Sequence, residues 1–224
     1  MSTVLIIGAS RGIGLELARQ YIADGARVMA THRRDDDAAR IRALGARPVA
    51  LDVLDGDACA ALAKPFQNEK IDIAIINAGI PGPRSAGLEV PTIEEFDTVM
   101  QTHVLAAMRL IPVLAPSLIA AQGKLAVLSS GLGSLARTTQ AFSWLYRASK
   151  AALNMTLRAA SAELGPKGVV CMAFSPGWVR TDMGGPGAEL DVATSVAGLR
   201  KVIAAANASH NGKFISYTGQ QIEW

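Results

Sequence analysis

The sequence predicts an α/β fold, one domain built on a parallel sheet of about seven strands, and three observations carry this reading. Short runs rich in β-branched residues alternate with longer amphipathic stretches, the rhythm of strand-helix-strand units whose crossovers make a sheet parallel. A glycine-rich segment, Gly8-Ala9-Ser10-Arg11-Gly12-Ile13-Gly14, stands between the first such run and the first amphipathic stretch. The 224 residues are 50% hydrophobic and 18% charged, which supplies one large core and excludes disorder, and no composition shift marks a boundary within residues 1–224.

Taken in order, the expected strands are residues 4–7, 27–31, 47–51, 71–76, 124–129, 168–174 and 213–216. Between the first two, Ile13, Leu17 and Tyr21 recur at helical spacing. One stripe of that segment therefore faces a sheet while Glu16, Arg19 and Gln20 stay in water. Asp35, Asp36 and Asp37 open the next helix, where the macrodipole favours anions. The most apolar stretch, residues 110–121, carries Pro112, Pro116 and Ser117 and is expected to be broken by them, too short to span a bilayer. A long helix is expected over 143–164. Residues 79–91 and 175–190 lack periodicity, are rich in Gly or Pro, and follow strands, where open α/β sheets bind ligands.

Several function classes fall away. The net charge is +3 with no dense basic tract, so a dedicated nucleic-acid binder is not expected. Cys59 and Cys171 are alone and far apart, and read as buried packing residues; His32, His103 and His210 have no ligand-like spacing, so neither a disulfide framework nor a metal site is expected. Only residues 4–7 are apolar before Gly8, far short of a signal peptide's apolar region, and the expected location is cytoplasmic.

The glycine segment carries the first chemistry. Glycine at 8, 12 and 14 allows a tight turn and close backbone approach, so a helix N-terminus can direct unpaired N–H groups at a pyrophosphate. The same residues spell the Gly-x-Ser-x-Gly elbow of a hydrolase, with Ser10 as nucleophile. Such an elbow needs preceding sheet and an oxyanion loop, and only one strand fits before residue 8. Tyr146 and Lys150 stand one helical turn apart on one face, where an ammonium beside a phenol favours phenolate and lowers the tyrosine pKa towards the range of a general acid. Ser129 and Ser130 end a strand, where a hydroxyl either polarises a carbonyl or simply caps the strand.

Together, Gly8 to Gly14 after the first strand, Asn77-Ala78-Gly79 after the fourth, Ser130 after the fifth, and Tyr146 with Lys150 resemble the short-chain dehydrogenase/reductase family. The resemblance includes Ser175-Pro176-Gly177-Trp178-Val179-Arg180-Thr181-Asp182-Met183 and runs to Trp224. Gly131-Leu132-Gly133-Ser134, Tyr146-Arg147-Ala148-Ser149-Lys150, and Asp182-Met183-Gly184-Gly185-Pro186 are most similar to its sniffer-like and C-factor-like carbonyl reductases.

The resemblance implies a doubly wound Rossmann fold with helices on both faces, a nicotinamide cofactor, and hydride transfer coupled to proton transfer. Carried over by position, Ser130 orients the carbonyl, Tyr146 exchanges the proton, and Lys150 lowers the tyrosine pKa while holding the nicotinamide ribose. Cofactor contacts are implied for Gly8, Ser10, Arg11, Gly12, Ile13 and Gly14, for His32 and Arg33, for Asp52 and Val53 near the adenine, for Asn77, Ala78 and Gly79, and for Pro176, Gly177, Val179 and Thr181. Two departures stand out. Sixteen residues separate Ser130 from Tyr146, about three more than is usual in the family. His103 stands where the family commonly has an Asn whose main-chain carbonyl holds a water of the proton relay, a role open to His.

The implied activity is NADP(H)-dependent reduction of a small aldehyde or ketone to an alcohol, or the reverse oxidation. A dinucleotide-binding signalling protein of the same fold is the alternative. NADP(H) is expected over NAD(H) because Thr31-His32-Arg33-Arg34 holds no carboxylate for the ribose hydroxyls, and Arg33 and Arg11 could meet a 2′-phosphate with Ser10 as a further donor. Substrate contacts are expected from residues 131–142 and 184–190. A homodimer or homotetramer is expected through the helices around 100–121 and 143–164, which carry small and apolar residues on more than one face.

Overall fold

The computed structural model describes residues 1–66 and 69–224. Its strands are β1 (Thr3–Ile7), β2 (Arg27–His32), β3 (Arg47–Ala50), β4 (Ile73–Ile76), β5 (Lys124–Leu128), β6 (Val170–Ser175) and β7 (Lys213–Ser216), each within about two residues of expectation. All seven pair in parallel in the order β3-β2-β1-β4-β5-β6-β7. The order reverses between β1 and β4, and that switch point opens a crevice at the carboxyl ends of the strands.

The alternation of side chains along each strand divides the core between two layers. Val4 and Ile6 of β1 join Leu17, Ala18 and Tyr21 of α1 (Gly12–Ala23), Ile41 of α2 (Asp35–Ala43), and Val196, Leu199 and Ile203 of α7 (Val192–Ala205). Leu5 and Ile7 join the opposite layer. There they meet Cys59 of α3 (Gly56–Ala61), Leu110, Leu114 and Leu118 of α5 (Ala106–Ala121), and Leu153 and Leu157 of α6 (Trp144–Leu164). Asp35, Asp36 and Asp37 form the first turn of α2, as their charge predicts. The two cysteines are buried, and burial pushes the Cys171 thiol up to about 12, so it packs as a small apolar group.

The prolines do not break the apolar stretch. Helix α4 (Ile93–Met100) runs through a π-helical turn (Gln101–Leu105) into α5 without interruption. Pro112 and Pro116 lie four residues apart on its exposed side. The donor that Pro116 lacks would have served the Pro112 carbonyl, so the defect falls on the face where water satisfies it. Among the described residues, Ile93–Ala121 is the one helix long and apolar enough to cross a membrane. Its inner face lies in the sheet's core, with Ala107, Leu110 and Leu118 fully covered.

Candidate active site

The glycine loop is fastened from three sides. Gly8 takes a positive φ of 85°, donates its N–H to Thr31 Oγ1 at 2.8 Å at the end of β2, and accepts from Asn77 Nδ2 at 2.6 Å at the end of β4. A Cβ at Gly8 would lie 2.8 Å from the Ala78 backbone, and one at Gly14 would lie 2.1 Å from the Gly8 carbonyl. Glycine at both positions is therefore what lets the ends of β1 and β4 and the start of α1 meet. Helix α1 begins at Gly12 behind an extended Arg11, and no side chain caps its first N–H groups. An uncapped helix start beside glycines at 8 and 12 fits an anionic pyrophosphate.

A cleft of about 500 Å³ runs over these strand ends. Gly8, Ser10, Arg11, Gly12, Ile13, His32, Arg33, Asp52, Val53, Asn77, Ala78, Gly79, Tyr146, Lys150, Pro176 and Thr181 all line it. Gly14, Ser130, His103, Gly177 and Val179 stand outside that lining. Gly177 has a positive φ and abuts Leu190 and Tyr217, while Val179 is buried and bridges to Leu190, so both hold the loop after β6 in place. Thr31, Leu54, Thr98 and Thr102 also line it without having been singled out in the sequence, whereas Ile80, Asp182 and Met183 fall in the two aperiodic loops expected to bind ligands. Nothing local singles out the side chains of Asp182 and Met183.

Arg11 and Arg33 both line the cleft but differ in their pairing. Arg11 Nη1 pairs with Asp182 Oδ2 across the mouth of the cleft, joining the β1 and β6 loops. Among the described residues Arg33 forms no ion pair, whereas Arg34 faces Asp36 at 3.6 Å and Arg40 faces Asp37 at 3.4 Å. Arg40 also donates to the Ser10 carbonyl at 3.0 Å, bracing the glycine loop from α2.

On the other wall, α6 presents Tyr146 and Lys150 one turn apart. Lys150 is buried and donates through Nζ to the Leu128 carbonyl at 3.0 Å, with Nζ 5.6 Å from the Tyr146 ring centre. Burial draws its pKa down to about 7. Tyr146 departs from expectation: burial raises its pKa above 10, and the counteracting influence is the Ser130 hydroxyl rather than Lys150. Lys150 gives one of its three N–H donors to the Leu128 carbonyl, and burial sets the direction of the shift at the phenol. Ser130 does cap the turn after β5, accepting the Leu132 N–H at 3.1 Å. That bond uses a lone pair and leaves the hydroxyl proton for Tyr146 or a carbonyl.

His103 is buried behind Tyr146. Its Nε2 accepts from Ile80 N at 3.1 Å, its Nδ1 meets Ser149 Oγ at 2.8 Å, and its ring stands edge-on to Tyr146 with centres 5.6 Å apart. The indole N–H groups of Trp144 and Trp178 donate to the Glu89 and Gly184 carbonyls at 2.8 and 2.9 Å. Trp144, Trp178, Phe142 and Met183 are all partly exposed, and of these Met183 lines the cleft.

Comparison with known proteins agrees with this geometry. The short chain dehydrogenase family model matches residues 2–189. The C-signal protein of Myxococcus xanthus is 40% identical over 157 residues, covering 69% of this chain and 93% of that protein. Carbonyl reductase Sniffer of D. melanogaster superposes with a TM-score of 0.93 at 29% identity over 100% of both chains. A carbonyl reductase from Pseudomonas aeruginosa PAO1 in complex with NADP gives 0.89 at 35% identity, again over 100% of both chains.

Proposed function

This chain belongs to the short-chain dehydrogenase/reductase family, and on that premise we propose that it is an NADP(H)-dependent carbonyl reductase acting on a small aldehyde or ketone. The observation that carries the reading is one cleft in which the glycine loop of α1 faces Tyr146 and Lys150 of α6. When bound, the nicotinamide dinucleotide supplies the hydride. Ser130 holds the carbonyl oxygen, and Tyr146 delivers the proton to that oxygen, so the carbonyl gains a hydride and a proton and leaves as the alcohol. Because burial holds Tyr146 above its ordinary pKa, the phenol enters the reductive direction protonated, as a donor must. Lys150 carries a proton that burial has loosened, which suits a group that recharges Tyr146 after each turnover and holds a ribose hydroxyl.

NADP(H) is favoured over NAD(H) by Arg33, which lines the cleft without an ion-pair partner among the described residues, while the nearby aspartates serve the first turn of α2. The NADP complex of the Pseudomonas reductase supports the same choice. Apolar lining residues, Ile80, Met183 and Val192 among them, favour carbonyls with hydrocarbon substituents. The exposed face of α5 and α6 carries Met108, Pro112, Ala115 and Ala160 along a groove of about 420 Å³, a surface for self-association into a dimer or tetramer. The proposed location is cytoplasmic.

The C-signal relative favours a second reading, a dinucleotide-binding signalling protein with little catalysis. Tyr146→Phe separates the two. Followed by NADPH absorbance against a panel of aldehydes, ketones and diketones, the wild type turns over at least one class, and the variant is slower by about 10²-fold with unchanged NADPH affinity. Turnover of no carbonyl by the wild type, with NADPH still bound, supports the signalling reading.

A further inference from the structure

The hydrogen bonds around His103 run in one direction. Nε2 receives the Ile80 N–H, so it carries no proton and the imidazole proton sits on Nδ1. Nδ1 then donates to Ser149 Oγ, and that hydroxyl passes its own proton to the Tyr146 carbonyl at 2.7 Å. The chain Ile80, His103, Ser149, Tyr146 thus spans three elements: the loop after β4, the π-turn and the first turns of α6. No member can reverse without leaving a buried donor facing a donor. Burial, with the Lys150 charge nearby, draws the His103 pKa down to about 2, so the ring stays neutral and keeps one tautomer at any working pH. A Cβ at Gly79 would stand 3.2 Å from His103 Nε2 and 3.6 Å from Lys150 Nζ, which explains a glycine there without a positive φ.

We propose that the His103 side chain is a positioning residue: its two ring nitrogens couple the loop carrying Gly79 and Ile80 to the turn of α6 carrying Tyr146, fixing the phenol relative to the cofactor-facing loop. The inference rests on Tyr146 being the proton donor. It assigns a role to the imidazole itself, distinct from the main-chain carbonyl role implied by resemblance. The edge-on packing of the ring against Tyr146 acts in the same direction, limiting rotation of the phenol about its own axis. A shift of about 1 Å at a reacting group is enough to cost about 10²-fold, so a loosened phenol is expected to show in kcat before it shows in cofactor binding.

The test uses the full chain with NADPH and phenanthrenequinone as the carbonyl probe, in four variants: Ser149→Ala, His103→Phe, the double variant and His103→Asn. Ser149→Ala and His103→Phe are each expected to lower kcat about tenfold, with the NADPH dissociation constant within about twofold of wild type. The double variant is expected to be no slower than the slower single one, because both changes cut the same chain. His103→Asn, whose amide nitrogen reaches the Nδ1 position, is expected to recover most of the loss seen in His103→Phe. Losses that multiply in the double variant overturn the proposal, as does normal kcat in Ser149→Ala, a change small enough to fold even if His103→Phe does not. An Asn variant no better than Phe overturns it as well. Tyr146→Phe run alongside keeps the premise separate: if that variant stays active, the donor assignment has failed, and if it is inactive while Ser149→Ala is normal, only the coupling has.

Discussion

Gly8→Ala tests whether the meeting of the β1 and β4 ends is what glycine is needed for. Two costs act together. A φ of 85° costs an alanine about 1–2 kcal/mol. The new Cβ also meets the Ala78 Cα and N at 2.8 Å, and backbone cannot rotate away as a side chain would, which adds about 1–3 kcal/mol of overpacking. Gly25 separates the two. It has a φ of 78° but no described residue lies within 4 Å of its Cβ position, so Gly25→Ala bears the first cost alone. At roughly 2–4 °C per kcal/mol for a domain of this size, Gly25→Ala should lower Tm by about 2–8 °C and Gly8→Ala by about 4–20 °C. Differential scanning fluorimetry with and without NADPH measures both, and only Gly8→Ala should also lose the NADPH-induced rise. Equal Tm losses in the two variants would refute the close-approach argument.

Arg33→Ala should weaken NADPH binding by about 10- to 100-fold, the worth of one charged hydrogen bond, and leave NADH nearly unchanged; equal losses in titrations of both cofactors reject the phosphate site. Lys150→Met should stabilise the cofactor-free protein below pH 7 and lose that advantage as pH rises towards 10.5. The unfolded chain protonates this lysine below its ordinary 10.5, whereas the folded chain does so only below about 7, so stability falls across that window as pH is lowered. Denaturant melts at pH 6 and pH 10 check the sign, and an unchanged difference between the two refutes it. Light scattering at micromolar concentration should give a dimer or tetramer, and Met108→Asp on the exposed α5 face should shift it towards monomer; a monomeric wild type rejects that interface.

Local chemistry made most of the fold legible. A run such as Val4, Leu5, Ile6 and Ile7 has no polar alternation because both faces of β1 are covered, and so it announces a buried parallel strand. Pro112 and Pro116 misled because their cost depends on which face of α5 meets water, a property of the folded sheet rather than of the stretch itself. The same division holds in the cleft. Gly8, Tyr146 and Lys150 declare themselves by spacing, since turn and helix geometry act within a few residues. The Arg11–Asp182 pair, the Arg40 brace on Ser10 and the His103–Ser149 contact join residues between 30 and 171 positions apart. No periodicity encodes such meetings. The π-turn at Gln101–Leu105 left no mark either, because an added residue in a helical turn changes no side-chain type.

The Arg11–Asp182 pair has a bearing on traffic. It crosses the mouth between two loops, with its side chains 67% and 75% exposed, so water and mobile ions compete for both ends and the link adds about 0–1 kcal/mol. A tie that weak cannot shut the mouth, but it opens and closes quickly and its strength falls with screening over a Debye length of about 8 Å in physiological salt. Ionic strength is therefore the variable to which cofactor exchange should answer. If departure of the oxidised nucleotide limits the cycle, added salt raises turnover up to the point at which it also weakens the grip on the phosphates, giving a maximum rather than a monotonic decline.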